Sequence, residues 1–523
     1  MLYDDDAGLS STDCFASNLE LLRKLRPDDH EEALHQLALD DFALGRMSKP
    51  VRTNQVDLHK VRLVPRFGVV QGVKPDGSAK VRAVDHMSWS MKGNARKRSR
   101  KDMKADSVNG HYVPKASVTH DHLDDLRAAM RLHVDTFHEQ PWLFKADIDS
   151  AFRRVPVQES HKWATGVAYL VKDQPMIAFH HGMPFGATSS VIAWHRIGEL
   201  LTALARKLLK IPIFRYVDDY FAAERKETAK HAMDDFATLV RLLLGESAIS
   251  ARKLEVAHEL LLLGIKVKPE QWGASFTLDR DRAEKWIAII DLALKCGILT
   301  SGEASKMAGR LMWATQSLFH KLGRAMIKAF FAQCSSKDGK IGLRLRIALL
   351  WWKHVLRCGV CETHNWDLHD KKPCHIFVDA ASSPARCAAV LHDEGLFFYS
   401  DAPPTNAMLR QMGNRGDKQI MSLEMMAILF ALTTFRTKLA NRRVILFSDN
   451  TGAEKSAVKG SAQASDHNEI VHEIWTYAFE HGIKLWIERV PSEDNISDCP
   501  SRQEYELMTA LGATWCEPVF TNW

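Results

Sequence analysis

Four short runs of aromatic and β-branched residues each end in a carboxylate: "LFKADID" at 143–149, "FRYVDD" at 214–219, "HIFVD" at 375–379 and "RVILFSD" at 443–449. Runs of this length and composition fold as strands, and an apolar layer does not stabilise an unpaired carboxylate, so each acid belongs at a strand end. A chain built this way gathers several carboxylates at the margins of its sheets. Adjacent aspartates alone impose nothing, since pairs also occur at Asp28-Asp29, Asp40-Asp41, Asp124-Asp125 and Asp234-Asp235. The last lies in "ETAKHAMDDFATLVRLLL", a helical pattern without strand flanks, and reads as a helix-surface pair.

The 523 residues exceed one ordinary core, and roughly one domain per 150 residues gives three or four. A hydrophobic content of 46% makes the chain globular, and 70 basic against 64 acidic residues suits a polyanionic partner without requiring one. Nine scattered cysteines give no disulfide framework and point to a reducing compartment. "MLYDDDAGLS" lacks the basic and apolar regions of a signal peptide, and no apolar stretch approaches the ~18 residues of a membrane span. The expectation is an intracellular protein, of cytoplasm or nucleus, with no membrane partner.

Residues 1–55 carry leucines at helical spacing and form a helical N-terminal extension. Short apolar runs then flank the Lys-Pro-Asp-Gly turn at 74–77 and predict a hairpin. Lys92 to Lys104 hold seven basic residues and one acid, which fits a solvated loop, a nuclear-targeting stretch or phosphate contact. From 143 to 270 strands alternate with helices, and 281–357 is helical. There, Lys306 and Arg310, then Arg324 and Lys328, fall at i,i+4 spacing and predict basic outer rows over apolar inner faces. From 371 onward, strand runs and the helical "SLEMMAILFALTTF" give an α/β segment.

Within "FRYVDD" and its strand-like continuation, Asp218 and Asp219 sit at a hairpin tip. In "LFKADID", Asp147 and Asp149 share one face of a strand end. Two strands ending in acids suit a Mg2+ site, and phosphoryl transfer uses two such ions. "ADIDSAF", "HGMPFGATSS", "FRYVDD" and "SARKLEVAHELLLLGIKV" occur in the order and spacing of reverse transcriptase palm motifs, which the chain resembles over roughly 200 residues. The resemblance implies a right-hand polymerase in which Asp147 and Asp218 hold two Mg2+ (or Mn2+) and Asp219 supports them. It makes Phe152 a steric gate against a ribose 2′-hydroxyl, with core packing as the alternative, and places Phe185 beside the templating base. It assigns Lys74 and Arg82 to the dNTP triphosphate and Lys253 to a proton donated to pyrophosphate, or to a solvated surface site. Asp149 has no counterpart and is expected to cap a turn.

Asp379, Glu424, Asp449 and Asp498 come from four successive elements whose convergence at strand ends would form a second two-metal site. This order resembles the D-E-D-D tetrad of RNase H, and "SDNTGA" with "VPSEDNISDCPSR" is similar to segments of hepadnavirus and DIRS-like retroelement polymerases. The resemblance implies hydrolysis of the RNA strand of RNA-DNA hybrids. Asn495 precedes Asp498 by three residues rather than the family's usual four, and the mobile histidine is not evident. "CGVCETHNWDLHDKKPC" sets Cys358, Cys361, His369 and Cys374 in a C-x2-C-x7-H-x4-C pattern with too long a middle loop for a zinc knuckle. Cys374 is expected to begin a core strand instead.

The expected architecture is α+β and α/β, multidomain: an extension (1–55), fingers and palm (56–270), helical thumb and connector (271–370) and an RNase H-like domain (371–523). The expected activity is that of an RNA-directed DNA polymerase with RNase H from a retroelement or related virus, acting on an RNA template, DNA primer, RNA-DNA hybrid and dNTPs, with the basic rows of Lys306, Arg310, Arg324 and Lys328 gripping duplex phosphates. The alternative is a non-catalytic nucleic-acid-binding protein that keeps the fold.

Overall fold

The apolar runs of the sequence become the sheets of two units, Met1–His258 and Glu259–Trp523. The computed structural model describes residues 11–73, 77–90, 107–112, 117–317, 321–359, 361–366, 372–413, 416 and 419–521. Lys74, His369 and the basic stretch at 92–104 lie outside those residues. Among the described residues no helix is long and apolar enough to cross a membrane.

In the first unit, β1 (Val51–Arg52), β2 (Leu63–Val73) and β3 (Ala79–Asp85) join two later strands in one sheet. A second sheet begins with β4 (Trp142–Asp147); β5 (Gly166–Val171) and β6 (Gln174–Phe179) complete the first, of order β1-β6-β5-β2-β3. Strands β7 (Ile213–Tyr216), β8 (Asp219–Glu224) and β9 (Leu254–Ala257) complete the second, of order β7-β8-β4-β9. The expected hairpin is present, β2 pairing antiparallel with β3.

The N-terminal helices α1 (Ser11–Lys24) and α2 (Glu31–Ala43) pack on the first sheet. Leu34 and Ala38 bury against Tyr169, and Asn18 is spent on the carbonyls of Leu58 and Val61 and the Leu63 amide. Below them runs a buried charge network. Arg66 forks onto Asp85 at 2.7 and 3.1 Å, and His180 Nε2 lies 2.8 Å from the same carboxylate. Arg153 meets His180 Nδ1 and, 3.0 Å away, Asp41 of α2. Burial alone would raise the Asp85 pKa, but Arg66 and His180 outweigh it and hold the carboxyl far below its usual range. Burial pushes His180 down to about 4.

The second sheet rests on α3 (Leu123–Phe137), α4 (Thr188–Leu204) and α5 (Ala229–Leu244), around a core of Phe144, Trp194, Ile213, Tyr220, Phe236 and Val240. Asp234 and Asp235 lie exposed on α5, as their helical flanks predict.

The second unit opens with the antiparallel sheet β10 (Leu260–Leu262), β11 (Ile265–Glu270), β12 (Gly273–Leu278) and β13 (Cys361–Asn365). Residues 259–270 thus fall in the second unit and in a sheet separate from β7-β8-β4-β9. Helices α6 (Arg280–Cys296), α7 (Ser301–Ser317), α8 (Arg324–Gln333) and α9 (Leu343–Arg357) lie between β12 and β13. The next sheet has six strands, β14 (Cys374–Ser382), β15 (Ala385–Asp393), β16 (Leu396–Ala402), β17 (Arg443–Ser448), β18 (Lys484–Arg489) and β19 (Thr514–Trp515), in the order β18-β17-β14-β15-β16-β19. Strands β14, β15 and β16 run as an antiparallel meander, while β17 and β18 add in parallel. Helix α10 (Ile420–Thr434) is buried around nearly its whole circumference, as a helix between a sheet and α12 (Ser465–Glu480) must be. Helix α11 (Thr451–Lys459) starts directly after β17, its first turn capped by Asn450.

The fold class is the mixed α/β, multidomain one expected from the sequence.

Candidate active sites

In the first unit, β7 and β8 are joined by the two residues Val217 and Asp218. Of the two, Val217 alone has positive φ, at 57°, the pattern of a type II′ hairpin whose first position ordinarily holds glycine. Pairing of β4 with β8 sets Asp147 directly opposite Asp219, so both side chains leave the sheet on one face. The Ile148 amide donates to the Asp218 carbonyl at 3.2 Å, tying the hairpin tip to the end of β4. Asp147, Asp218 and Asp219 are therefore neighbours.

Their electrostatics show the cost of this proximity. Burial, then the neighbouring Asp218 and Asp147, push Asp219 up to about 6; burial and Asp147 also raise Asp218. Lys253 supplies the counter-charge, its Nζ 2.8 Å from Asp147 Oδ2 and 2.8 Å from Asp149 Oδ1. Lys253 is thus no free surface lysine. Asp149, expected to cap a turn, instead shares this ammonium; the 3-10 helix after it has no side-chain cap.

Phe152 is half-buried, touches the sheet core and meets Phe185 edge-on with ring centroids 5.3 Å apart. The exposed Arg82 places its guanidinium 4.8 Å from the Phe185 ring centre. The gate candidate, the loop aromatic and the triphosphate candidate form one contiguous surface.

In the second unit the parallel register pairs Val378 with Ser448, so the next residues, Asp379 and Asp449, stand side by side. Glu424, in the second turn of α10, completes a triad with oxygens within 4.8 Å of one another. Burial, then Asp379 and Asp449, push Glu424 up to about 9. Glu424 Oε2 and Asp449 Oδ1 are buried without a hydrogen-bond partner. Anionic oxygens that find no donor in protein are what a divalent cation takes up, so this donor set fits a hard metal ion. Asp498 starts the short helix Asp498–Ser501, close enough to raise Asp379 and Glu424 further, but its own carboxylate pairs with Arg502 at 2.7 Å. Asn495 is buried, donating to the Val378 carbonyl at 3.0 Å and accepting from the Ser497 hydroxyl at 2.6 Å, which fixes the loop against the strand that carries Asp379.

Other sequence expectations fare differently. Lys306 and Arg310 are exposed on α7, above buried Ala304, Met307, Ala308 and Leu311. Arg324 and Lys328 do not continue an outer row. Arg324 donates to the carbonyl of Lys459, the last residue of α11, at 3.4 Å, and Lys328 to those of Ala462 and Gln463 in the loop that follows it. Cys358 and Cys361 join no metal-capable cluster among the described residues, and Cys374 begins β14, buried against Asp393.

Two residues that the motif reading passes over hold the polymerase-type hairpin from behind, Trp194 and Arg215, both donating to the Val217 carbonyl. The signal for Arg215 lies in the sequence: an arginine on the inward side of an apolar strand must find buried partners.

Comparison with known proteins bears on one part of the chain. The family model described as reverse transcriptase (RNA-dependent DNA polymerase) matches residues 74–267, so that segment is a reverse transcriptase domain. No curated protein matches the sequence. Among solved structures, a foamy viral protease-reverse transcriptase in complex with RNA/DNA hybrid aligns at 15% identity and a TM-score of 0.45, over 90% of this chain and 56% of that one. The same viral protein in complex with dsDNA aligns at 16% and 0.44, over 90% and 85%. The chain thus spans little more than half of the first of these, and likeness at this level carries no argument about function.

Proposed function

We propose that the chain is an RNA-directed DNA polymerase that extends a DNA primer on an RNA template, and that its second unit hydrolyses the RNA of the resulting hybrid. The observation that carries the first activity is the opposition of Asp147 and Asp219, with Asp218 beside them in the hairpin turn, inside the matched segment. Asp147 and Asp218 would hold Mg2+ or Mn2+, with Asp219 in support. Such ions would supply stabilisation of charge on the attacking and leaving oxygens. Arg82, with Lys74, grips the triphosphate of a dNTP. Phe152, braced by Phe185, closes the space a ribose 2′-hydroxyl would need. Lys253 is placed beside Asp147 to neutralise the acids and to hand a proton to departing pyrophosphate. In the second unit Asp379, Glu424 and Asp449 would hold the ions for attack of water on a phosphodiester, with Asp498 at the rim.

All seven acids are present in two ordered settings, which favours an enzyme over a binding protein that has kept only the fold. The test is Mg2+-dependent dNTP incorporation on poly(rA)/oligo(dT), with cleavage assayed on the same RNA-templated substrate. Asp218→Ala should abolish extension and leave cleavage; unchanged extension would sink the assignment.

A further inference from the structure

The hairpin that carries Asp218 has a conformational cost that its own sequence does nothing to reduce. Val217 sits at φ 57°, and a β-branched residue is strongly disfavoured there. Such a backbone persists only where its surroundings over-determine it. The surroundings are visible at the Val217 carbonyl, which accepts from Trp194 Nε1 at 2.8 Å and from Arg215 Nη1 at 3.0 Å.

Both donors are themselves fixed. The Arg215 side chain is 1% exposed, and its other terminal nitrogen lies 2.6 Å from Glu199 Oε1 and 2.9 Å from His195 Nδ1. Trp194, His195 and Glu199 are all on α4, so one helix sets the position of both donors. The same helix leaves room for the guanidinium by carrying glycine at 198, where a Cβ would lie 2.8 Å from Arg215 Cζ, Nε and Nη1. Tyr220, the residue after the acids, also reaches this helix, its hydroxyl 3.3 Å from the Gly198 carbonyl.

We infer that Arg215 and Trp194 are positioning residues, which hold the Tyr216–Asp219 hairpin in its strained conformation through the Val217 carbonyl and so keep Asp218 and Asp219 facing Asp147. The inference rests on the polymerase reading for its effect on rate, but not for its effect on the backbone. Without the two donors the turn relaxes toward conformations that valine prefers, and the acids lose their common face.

The experiment uses the full chain and four variants: Arg215→Met, Trp194→Phe, Gly198→Ala and the double variant Arg215→Met/Val217→Gly. Amide hydrogen exchange across residues 213–222 should rise at least tenfold in each single variant, while peptides from the core of the second unit keep wild-type protection. In extension assays the single variants should lose at least tenfold in kcat with the KM for dNTP moved less than twofold, because a displaced carboxylate harms the reacting geometry more than binding. Glycine adopts positive φ without penalty, so the double variant should recover at least half of the lost rate. A hairpin whose exchange is unchanged in Arg215→Met and Trp194→Phe overturns the inference, whatever the activity. So does a double variant no faster than Arg215→Met alone. Wild-type protein that shows no extension would instead count against the polymerase reading, and the exchange data would still decide the role of the two donors.

Discussion

At the end of β4 in the first unit, Asp147 and Asp149 share the ammonium of Lys253, 2.8 Å from each. In the carboxylate triad of the second unit, Glu424 and Asp449 each keep a buried oxygen that no donor reaches, and Arg502 pairs with Asp498 rather than with either of them. One cluster carries part of its own counter-charge; the other must hold a cation or a proton. Burial accentuates the difference, since Asp219 rises to about 6 and Glu424 to about 9. Clusters with the same type of ligand therefore differ in how far each depends on metal merely to remain ionised.

The largest effects should separate the two clusters outright. Asp218→Ala should cut dNTP incorporation by about three orders of magnitude and spare hybrid cleavage, and Glu424→Gln should do the reverse. If either change abolishes both activities, the units are not independent catalysts. Next, Lys253→Met should lower incorporation by roughly a hundred- to ten-thousandfold, the range of a lost general acid, with cleavage untouched. An activity loss confined to pH values below 6 would break the argument that Lys253 offsets the acids at working pH.

A third prediction concerns pH in the presence of chelator. The unfolded Glu424 carboxyl titrates near 4.5 and the folded one near 9, so between those values the folded chain holds a proton that the unfolded chain has released. The contribution of Glu424 to the stability of the second unit is then full below about pH 4.5 and lost as pH rises through about 9. Melting followed in EDTA should show this slope, and Glu424→Gln should flatten it. Added Mg2+ should raise the melting temperature most at the alkaline end. A slope that survives the substitution would move its origin elsewhere. The smallest effect is structural: Arg324→Ala should cost about 1 kcal/mol by removing a donor to the end of α11, with no change in duplex affinity. A clear loss of affinity would restore Arg324 to the nucleic-acid surface.

What the sequence made legible was whatever strand alternation and local spacing encode. Asp147, Asp218, Asp379 and Asp449 all come after apolar runs; Asp147 ends β4, Asp218 lies in the turn after β7 and Asp449 directly follows β17, whereas Asp379 lies inside β14, which runs on to Ser382 against β15 beyond its pairing with β17. Asp234 and Asp235, on helical flanks, are exposed on α5. What spacing could not convey was partnership across the chain. Arg324 and Lys328 have the i,i+4 spacing of a solvent row, yet residues more than a hundred positions later supply the carbonyls that take them up. Asp149 read as a turn cap because nothing local marks Lys253 as its partner. Strands β10 and β11 belonged by sequence to the segment before them, but the fourth strand of their sheet, β13, comes from beyond four helices.

The contact between Asp41 and Arg153 spans 112 positions. During synthesis α2 leaves the ribosome well before Arg153 and Tyr169, so its packing is complete only after most of the first unit has emerged, whereas Asn18 of α1 can bond Leu58, Val61 and Leu63 much earlier. Distant pairings of this kind slow folding and expose apolar surface in the interval. An amino-terminal fusion or a truncation that removes α2 should therefore show itself first as poor recovery of soluble protein, before any defect in chemistry could be measured.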